Sequence, residues 1–289
     1  MTTHETRIRS ATREVVIGPE RPVVVIGERI NPTGRSGLAD SLRRGDMAVV
    51  RRDGLAQAAA GAGILDLNVS VLGADQPALM AAAVGALQEA TDLPLCIDSP
   101  DPAVLAAGLA AYLGKALVNS VNGEERALAA VLPLVKEHGA AVIALTMDDQ
   151  GIPATAAARL RVAEAILERA AAQGIAPEDV IFDPLAMAVG ADSGAARVTL
   201  ETIRLIRERL GANMTLGVSN VSHGLPARPE LNAAFVALAI ARGVTCPIAN
   251  PLAARMMETI RAANLLLGHD EWASGWIRAY RAARKRAAG

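Results

Sequence analysis

Apolar residues in this chain gather into short runs. Each run ends in an amide or a carboxylate, and a longer amphipathic stretch follows it. The form recurs at Ile64-Leu-Asp66-Leu-Asn68, Leu95-Cys-Ile-Asp98, Ala116-Leu-Val-Asn119, Val180-Ile-Phe-Asp183, Met214-Thr-Leu-Gly-Val-Ser-Asn220 and Pro247-Ile-Ala-Asn250. Short apolar runs bounded by turn signals read as buried strands, and stretches with a 3.6-residue period as helices. The pattern predicts strands at 23–26, 64–69, 93–97, 116–118, 141–146, 180–182, 214–218 and 246–249. It predicts helices at about 46–62, 76–90, 102–113, 124–138, 156–173, 198–210, 231–242 and 252–267. Pro102 directly after Asp101 is a first-turn signal. The run at 15–18 is expected to form a small hairpin with 23–26 across a barrel floor, and 223–229 reads as a Gly/Pro loop. A last amphipathic segment, 272–286, sets Trp272, Trp276 and Tyr280 on one face, expected to pack on the barrel or on a second subunit.

Eight strand-then-helix units in series imply parallel pairing with right-handed crossovers. An open doubly wound sheet could also hold them. The even spacing, and the absence of GxGxxG after the first strand, favour a closed (β/α)8 TIM barrel at about 22–267 within one domain, 1–289.

Composition narrows the class. Hydrophobic residues make up 52% and aromatics 2%, so the core must be built from Ala, Val, Leu and Ile. A net charge of −1 argues against general affinity for nucleic acid or an anionic membrane. Cys96 and Cys246 sit in apolar runs without zinc spacing, as expected of buried thiols in a reduced cytoplasm. The N-terminus lacks the apolar core of a secretory signal.

A barrel places its active site at the C-terminal ends of its strands. The polar residues that collect there are Glu28, Asn31, Asp66, Asn68, Asp98, Asn119, Asn122, Asp148, Asp183, Ser219, Asn220 and Asn250. Asp and Asn also open turns and cap helices, and Asp101, Asp148 and Asp149 fit that role. Asp98, Asn119, Asp183 and Asn220 directly follow apolar residues, before any turn residue, which favours a ligand role. No His, Cys or Lys stands at a strand end as a nucleophile, and no His-carboxylate cluster suggests a resident metal. A cup of carboxylates and amides suits the edge of a flat amino-pyrimidinone ring, because a carboxylate accepts two parallel N–H bonds and an amide both donates and accepts.

Seven motifs together resemble the methyltetrahydrofolate:corrinoid protein methyltransferases: Ile26-Gly-Glu-Arg-Ile-Asn31, Leu65-Asp-Leu-Asn-Val69, Cys96-Ile-Asp-Ser99, Val118-Asn-Ser-Val-Asn122, Leu145-Thr-Met147 with Gly151-Ile-Pro153, Phe182-Asp-Pro-Leu185 and Leu216-Gly-Val-Ser-Asn-Val-Ser222. That family shares a pterin-binding barrel with the folate region of cobalamin-dependent methionine synthase and with dihydropteroate synthase. The resemblance implies that Asp98, Asn119 and Asp183 hold the pterin and that Asn220 lies near N5 and its methyl group. It also implies that Asp66, Asn68, Gly217, Ser219, Glu28 and Asn122 line the site and that Arg228 meets the folate tail. His223 departs from the pattern, standing where an amide is expected. The implied reaction passes a methyl group between 5-methyltetrahydrofolate and a corrinoid on a partner protein, in a homodimer. The chain has no Asp-x-His-x-x-Gly stretch of its own to hold a corrinoid. Dihydropteroate synthase, a non-catalytic pterin-binding subunit and a metal-dependent lyase using Asp66, Asp98 and Asp183 remain the alternatives.

Overall fold

The computed structural model describes residues 4–288. An N-terminal hairpin, β1 (Thr6–Arg9) and β2 (Glu14–Ile17), precedes the alternating part of the chain. There follow β3 (Ile26–Ile30), α1 (Ser36–Arg43), α2 (Ala48–Ala60), β4 (Ile64–Asn68), α3 (Gln76–Ala90), β5 (Leu95–Asp98) and α4 (Pro102–Ala111). Next come β6 (Leu117–Asn122), α5 (Glu125–Glu137), β7 (Ala141–Leu145), α6 (Ala156–Ala172), β8 (Val180–Asp183) and α7 (Ala195–Leu210). The chain ends in α8 (Arg228–Arg242), β9 (Ile248–Ala249), α9 (Ala254–Leu266) and α10 (Ser274–Ala288).

The helices begin where local chemistry favours it. Asp75, Asp101 and Thr155 each accept a backbone N–H from the first turn of α3, α4 and α6, and Pro occupies the first turn of α3 and α4.

Seven strands pair in parallel in the order β8-β7-β6-β5-β4-β3-β9. The expected seventh strand, 214–218, is not a regular strand. Single bridges join Met214 to Phe182 and Gly217 to Ile248. The Thr215 N–H donates to the Phe182 carbonyl at 2.9 Å, and the Ile248 N–H donates to the Leu216 carbonyl at 2.9 Å. These bonds close the ring between β8 and β9, so the barrel is present with one irregular stave. The irregularity has a local cause: the N–H groups of Thr245 and Cys246 both converge on the Met214 carbonyl. From Val218 the chain tightens into a 3-10 helix, Val218–Ser222.

Alternation along the strands sorts side chains into two compartments. Leu65, Leu67, Leu95, Ile97, Val118, Val142, Ala144, Val180 and Phe182 face outward into the helical layer. The opposite phase faces the barrel axis. Its lower level is apolar, formed by Ile26, Ile64, Cys96, Leu117, Ala141, Ile143, Ile181 and Cys246. One step further along the same strands the inward phase carries Asp66 and Asn68, Asp98, Asn119 and Asp183.

The hairpin closes the floor, though by a different pairing from the expected one. β1 pairs with β2, not 15–18 with 23–26. Its inward residues Ile8 and Ile17 are fully buried in the lower apolar level. Arg9 bridges Lys115 at the entry to β6, and the Asn213 amide donates to the carbonyls of His4 and Ile17.

Other boundaries moved for visible reasons. α1 falls in a stretch with no predicted element, because its eight residues bury only Leu38, Ser41 and Leu42. α8 begins at Arg228, inside the predicted loop, with Pro229 in its first turn. The first strand is shifted to Ile26–Ile30, which brings Glu28 into the sheet. Trp272 does not pack on the barrel: it is 94% exposed, and Tyr280 is 59% exposed.

Candidate active site

The ladder register sets the polar level. Asn68 pairs with Asp98 across β4 and β5, and Asp98 with Asn119 across β5 and β6. Three inward polar side chains from adjacent strands therefore share one rung. The Asn68 amide Nδ2 donates to Asp98 Oδ2 at 3.0 Å, and the Asn119 Nδ2 donates to Asp66 Oδ1 at 3.1 Å. Each carboxylate is thus oriented by an amide. Asp183 lies opposite, at the end of β8, and its Oδ1 accepts the Leu185 N–H at 2.7 Å.

Burial dominates the electrostatics. It raises the Asp66 carboxyl well above the ordinary carboxylate range; nearby Asp98 raises it further, and the Asn119 amide opposes the shift. Burial also raises Asp98, against the pull of the Asn68 hydrogen bond. Asp183 is pushed up to about 7 by burial, with the Leu185 N–H and the Arg159 charge acting to lower it. Glu28 is raised by burial, against the Arg29 and Arg228 charges. The thiols of Cys96 and Cys246 are raised by burial too, so both stay neutral in the floor of the cup. A partly protonated set of carboxyls can both donate and accept hydrogen bonds, which matches a ring with N–H groups beside a carbonyl.

Asn220 stands apart from this level. It is exposed, in the 3-10 helix that follows Gly217. A Cβ on Gly217 would lie 3.0 Å from the Asn220 Nδ2, so glycine leaves room for that amide. Arg228 supports the same turn: its Nε donates to Ser222 Oγ at 3.1 Å and its Nη2 to the Ser219 carbonyl at 2.9 Å. Its guanidinium is engaged by its own loop. His223 is exposed just beyond, at the end of the 3-10 helix.

Some polar strand ends are turn formers. Asn122 Oδ1 accepts the Glu124 N–H at the start of α5, Asn31 Oδ1 that of Thr33, Asp148 Oδ1 that of Gln150 and Asn250 Oδ1 that of Leu252. Glu28 is half-buried on β3, next to Arg29, whose N–H donates to the buried Gln57 side chain.

One residue beside the site escaped the sequence reading. Arg159 is 3% exposed and reaches the loops after β7 and β8 from α6. Its signal lay in the helical period: Ala156, Arg159, Val162, Ala163, Ile166 and Ala170 form the buried stripe, and a guanidinium on that stripe needs a polar partner inside.

Among the described residues no group of three or more His, Cys, Asp or Glu is arranged to hold a metal ion, and no helix is long and apolar enough to cross a membrane.

Comparison with known proteins agrees with this architecture. Residues 27–250 match the family model described as pterin binding enzyme. The chain is 31% identical over 267 residues to the methylcorrinoid:tetrahydrofolate methyltransferase of Eubacterium limosum, covering 90% of this chain and 96% of that protein. It is 33% identical over 246 residues to the methionine synthase of Mycobacterium tuberculosis, but that match takes in 81% of this chain and only 21% of the synthase. Among solved structures, dihydropteroate synthase from Xanthomonas albilineans superposes with a TM-score of 0.66 at 22% identity, covering 91% of this chain and 98% of that one, which is a likeness of fold. The chain is a methyltransferase of the pterin-binding enzyme family.

Proposed function

We propose that the chain transfers a methyl group between N5 of 5-methyltetrahydrofolate and a corrinoid carried by a partner protein. The observation that carries this reading is the inward level of Asp66, Asn68, Asp98 and Asn119, paired amide to carboxylate, with Asp183 opposite them and an exposed Asn220 above. Asp98, Asn119 and Asp183 hold the edge of the pterin ring, and Asp66 and Asn68 fix their partners' orientation. Glu28, Gly217 and Ser219 border the ring, and Arg228 holds the loop that presents Asn220.

A methyl-bearing tertiary amine is a poor leaving group. A hydrogen bond from Asn220 Nδ2 to N5 strengthens as the C–N bond breaks, so the amide stabilises the transition state more than the bound substrate. The partner's reduced corrinoid would act as co-substrate and accept the methyl group; N5 keeps the bonding pair and takes up one proton from water, because the Asn220 amide donates a hydrogen bond but no proton. The protein therefore needs no nucleophile of its own, and burial keeps the Cys96 thiol on the floor of the cup neutral. The full-length likeness to a methylcorrinoid:tetrahydrofolate methyltransferase supports the same substrates. The two buried free thiols suit a reduced cytoplasm. The enzyme is proposed to act as a homodimer, which sedimentation equilibrium decides. Dihydropteroate synthase chemistry expels pyrophosphate and calls for cations at the mouth, where this chain has Ser219-Asn220 and Ala249-Asn-Pro251.

The test combines binding and turnover. Calorimetry with 5-methyltetrahydrofolate is followed by addition of cob(I)alamin or a corrinoid protein, with methylcobalamin read by absorbance. Asn220→Ala is expected to bind folate within a few-fold of wild type and to lose about 100-fold in kcat. No binding of any reduced folate by the wild-type chain would refute the proposal. Binding that survives with kcat unchanged in the variant would remove Asn220 from the chemistry.

A further inference from the structure

Arg159 is a buried cation whose three hydrogen bonds all go to carbonyl oxygens. Its Nε donates to Pro153 at 3.0 Å, and its Nη1 donates to Pro184 at 2.7 Å and to Leu185 at 2.9 Å. Pro153 belongs to the loop after β7, while Pro184 and Leu185 begin the loop after β8, so one side chain staples two adjacent mouth loops. Leu185 sits at φ 62, a left-handed conformation that a branched residue adopts only when its surroundings hold it. The hold is doubled by Thr199, whose Oγ1 donates to the Leu185 carbonyl at 2.9 Å. In that conformation the Leu185 N–H turns back to Asp183 Oδ1 at 2.7 Å. Burying a guanidinium on carbonyls alone is costly, and a local charge that benefits from it explains its retention.

We propose that Arg159 is a positioning residue: it locks the loop after β8 so that Leu185 orients the Asp183 carboxylate toward the ligand, and it holds a fixed positive charge behind that carboxylate. This rests on the reading of the site as pterin-binding. A ring that offers two parallel N–H groups needs the ionised, correctly rotated carboxylate, and Arg159 serves both needs through a loop rather than by touching the ligand. Among the described residues, the charged or titratable groups that act on Asp183 are Arg159 from α6 and the Cys246 thiol beside β9; the thiol is pushed up to about 12 and is neutral at physiological pH.

Two readouts test the proposal. The first is a carbon-13 NMR titration of the Asp183 carboxyl in the ligand-free full chain, assigned with Asp183→Asn. The midpoint is expected to rise by about one unit in Arg159→Met and to stay near wild type in Arg159→Lys, which keeps the charge. The second is the Kd for 5-methyltetrahydrofolate against pH. A one-unit rise cuts the ionised fraction at pH 7 from about one half to about one tenth, so Kd in Arg159→Met rises about fivefold there and recovers part of the loss by pH 9. Arg159→Lys and Thr199→Val, which loosen the loop without removing the charge, are expected to weaken binding equally at every pH. They carry the test if Arg159→Met does not fold. A midpoint that does not move in Arg159→Met, or unchanged affinity in Arg159→Lys and Thr199→Val, overturns the assignment. A midpoint that moves in a chain that binds no reduced folate at any pH overturns the proposed function, and with it the ligand assigned to Asp183.

Discussion

Asp183, the proposed binding residue opposite the amide–carboxylate pairs, weakens the ligand-free protein that carries it. Burial lifts its carboxyl from the ordinary 3.8 to about 7. The native state therefore holds this proton more tightly than the unfolded chain does. Stability from the group is fully present below about pH 4 and is lost as pH rises toward 7. With each unit worth about 1.4 kcal/mol, the charged form at pH 8 costs the ligand-free fold on the order of 4 kcal/mol. Asp183→Asn is expected to raise ligand-free stability at pH 8 by about 1–3 kcal/mol while abolishing tight folate binding, as urea unfolding and calorimetry would show. Asp98, Asn119 and Asp183 were legible as inward polar strand ends because each follows a buried run with no turn residue between. Asn122 shares their composition, yet its Oδ1 opens α5, since only geometry separates a ligand contact from a cap. Arg159 drew no notice in the predicted helix 156–173, because its partners are backbone carbonyls, which have no sequence identity to read.

Among the elements, apolar runs made β4 to β8 readable to within a few residues, while α3 and α4, nearly apolar all round, were marked by the Asp and Pro at their starts and α5 and α7 by their amphipathic period. Where the ladder depends on tertiary convergence, as at Met214, the same apolar signal gave a stave that pairs only at two bridges. The N-terminal hairpin was misplaced because β1 alternates exposed Arg7 and Arg9 with buried Thr6 and Ile8, a period too short to stand out. Its seat on the floor is tight at one point. Gly114 has φ 139, and a Cβ there would lie 2.0 Å from the Arg9 carbonyl. Gly114→Ala should therefore push the hairpin off its bridge to Lys115 and cost at least about 2 kcal/mol in chemical denaturation. Ile8→Ala, which leaves the bridge intact and empties part of the floor, should cost about 2–4 kcal/mol.

For the whole molecule, the parallel alternation of strands and helices foretold the barrel, and the polar strand ends foretold which rim gathers its buried carboxylates and amides. The aromatic face expected to pack on the barrel or a second subunit is broken within this chain: Trp272 lies in a turn before α10 and stands off the barrel. The floor plug has a kinetic consequence. With Ile8 and Ile17 sealing the lower end, the chamber is a cul-de-sac, and whatever enters by the rim must leave by it. On the proposed reading, folate seated against Asp183 would lie deeper than a protein bringing a cobalt to Asn220. Loading must then follow a compulsory sequence: folate first, carrier second, with the carrier gone before spent folate departs. Steady-state patterns should show ordered addition, and a carrier in large excess should throttle turnover by corking folate out of the empty barrel.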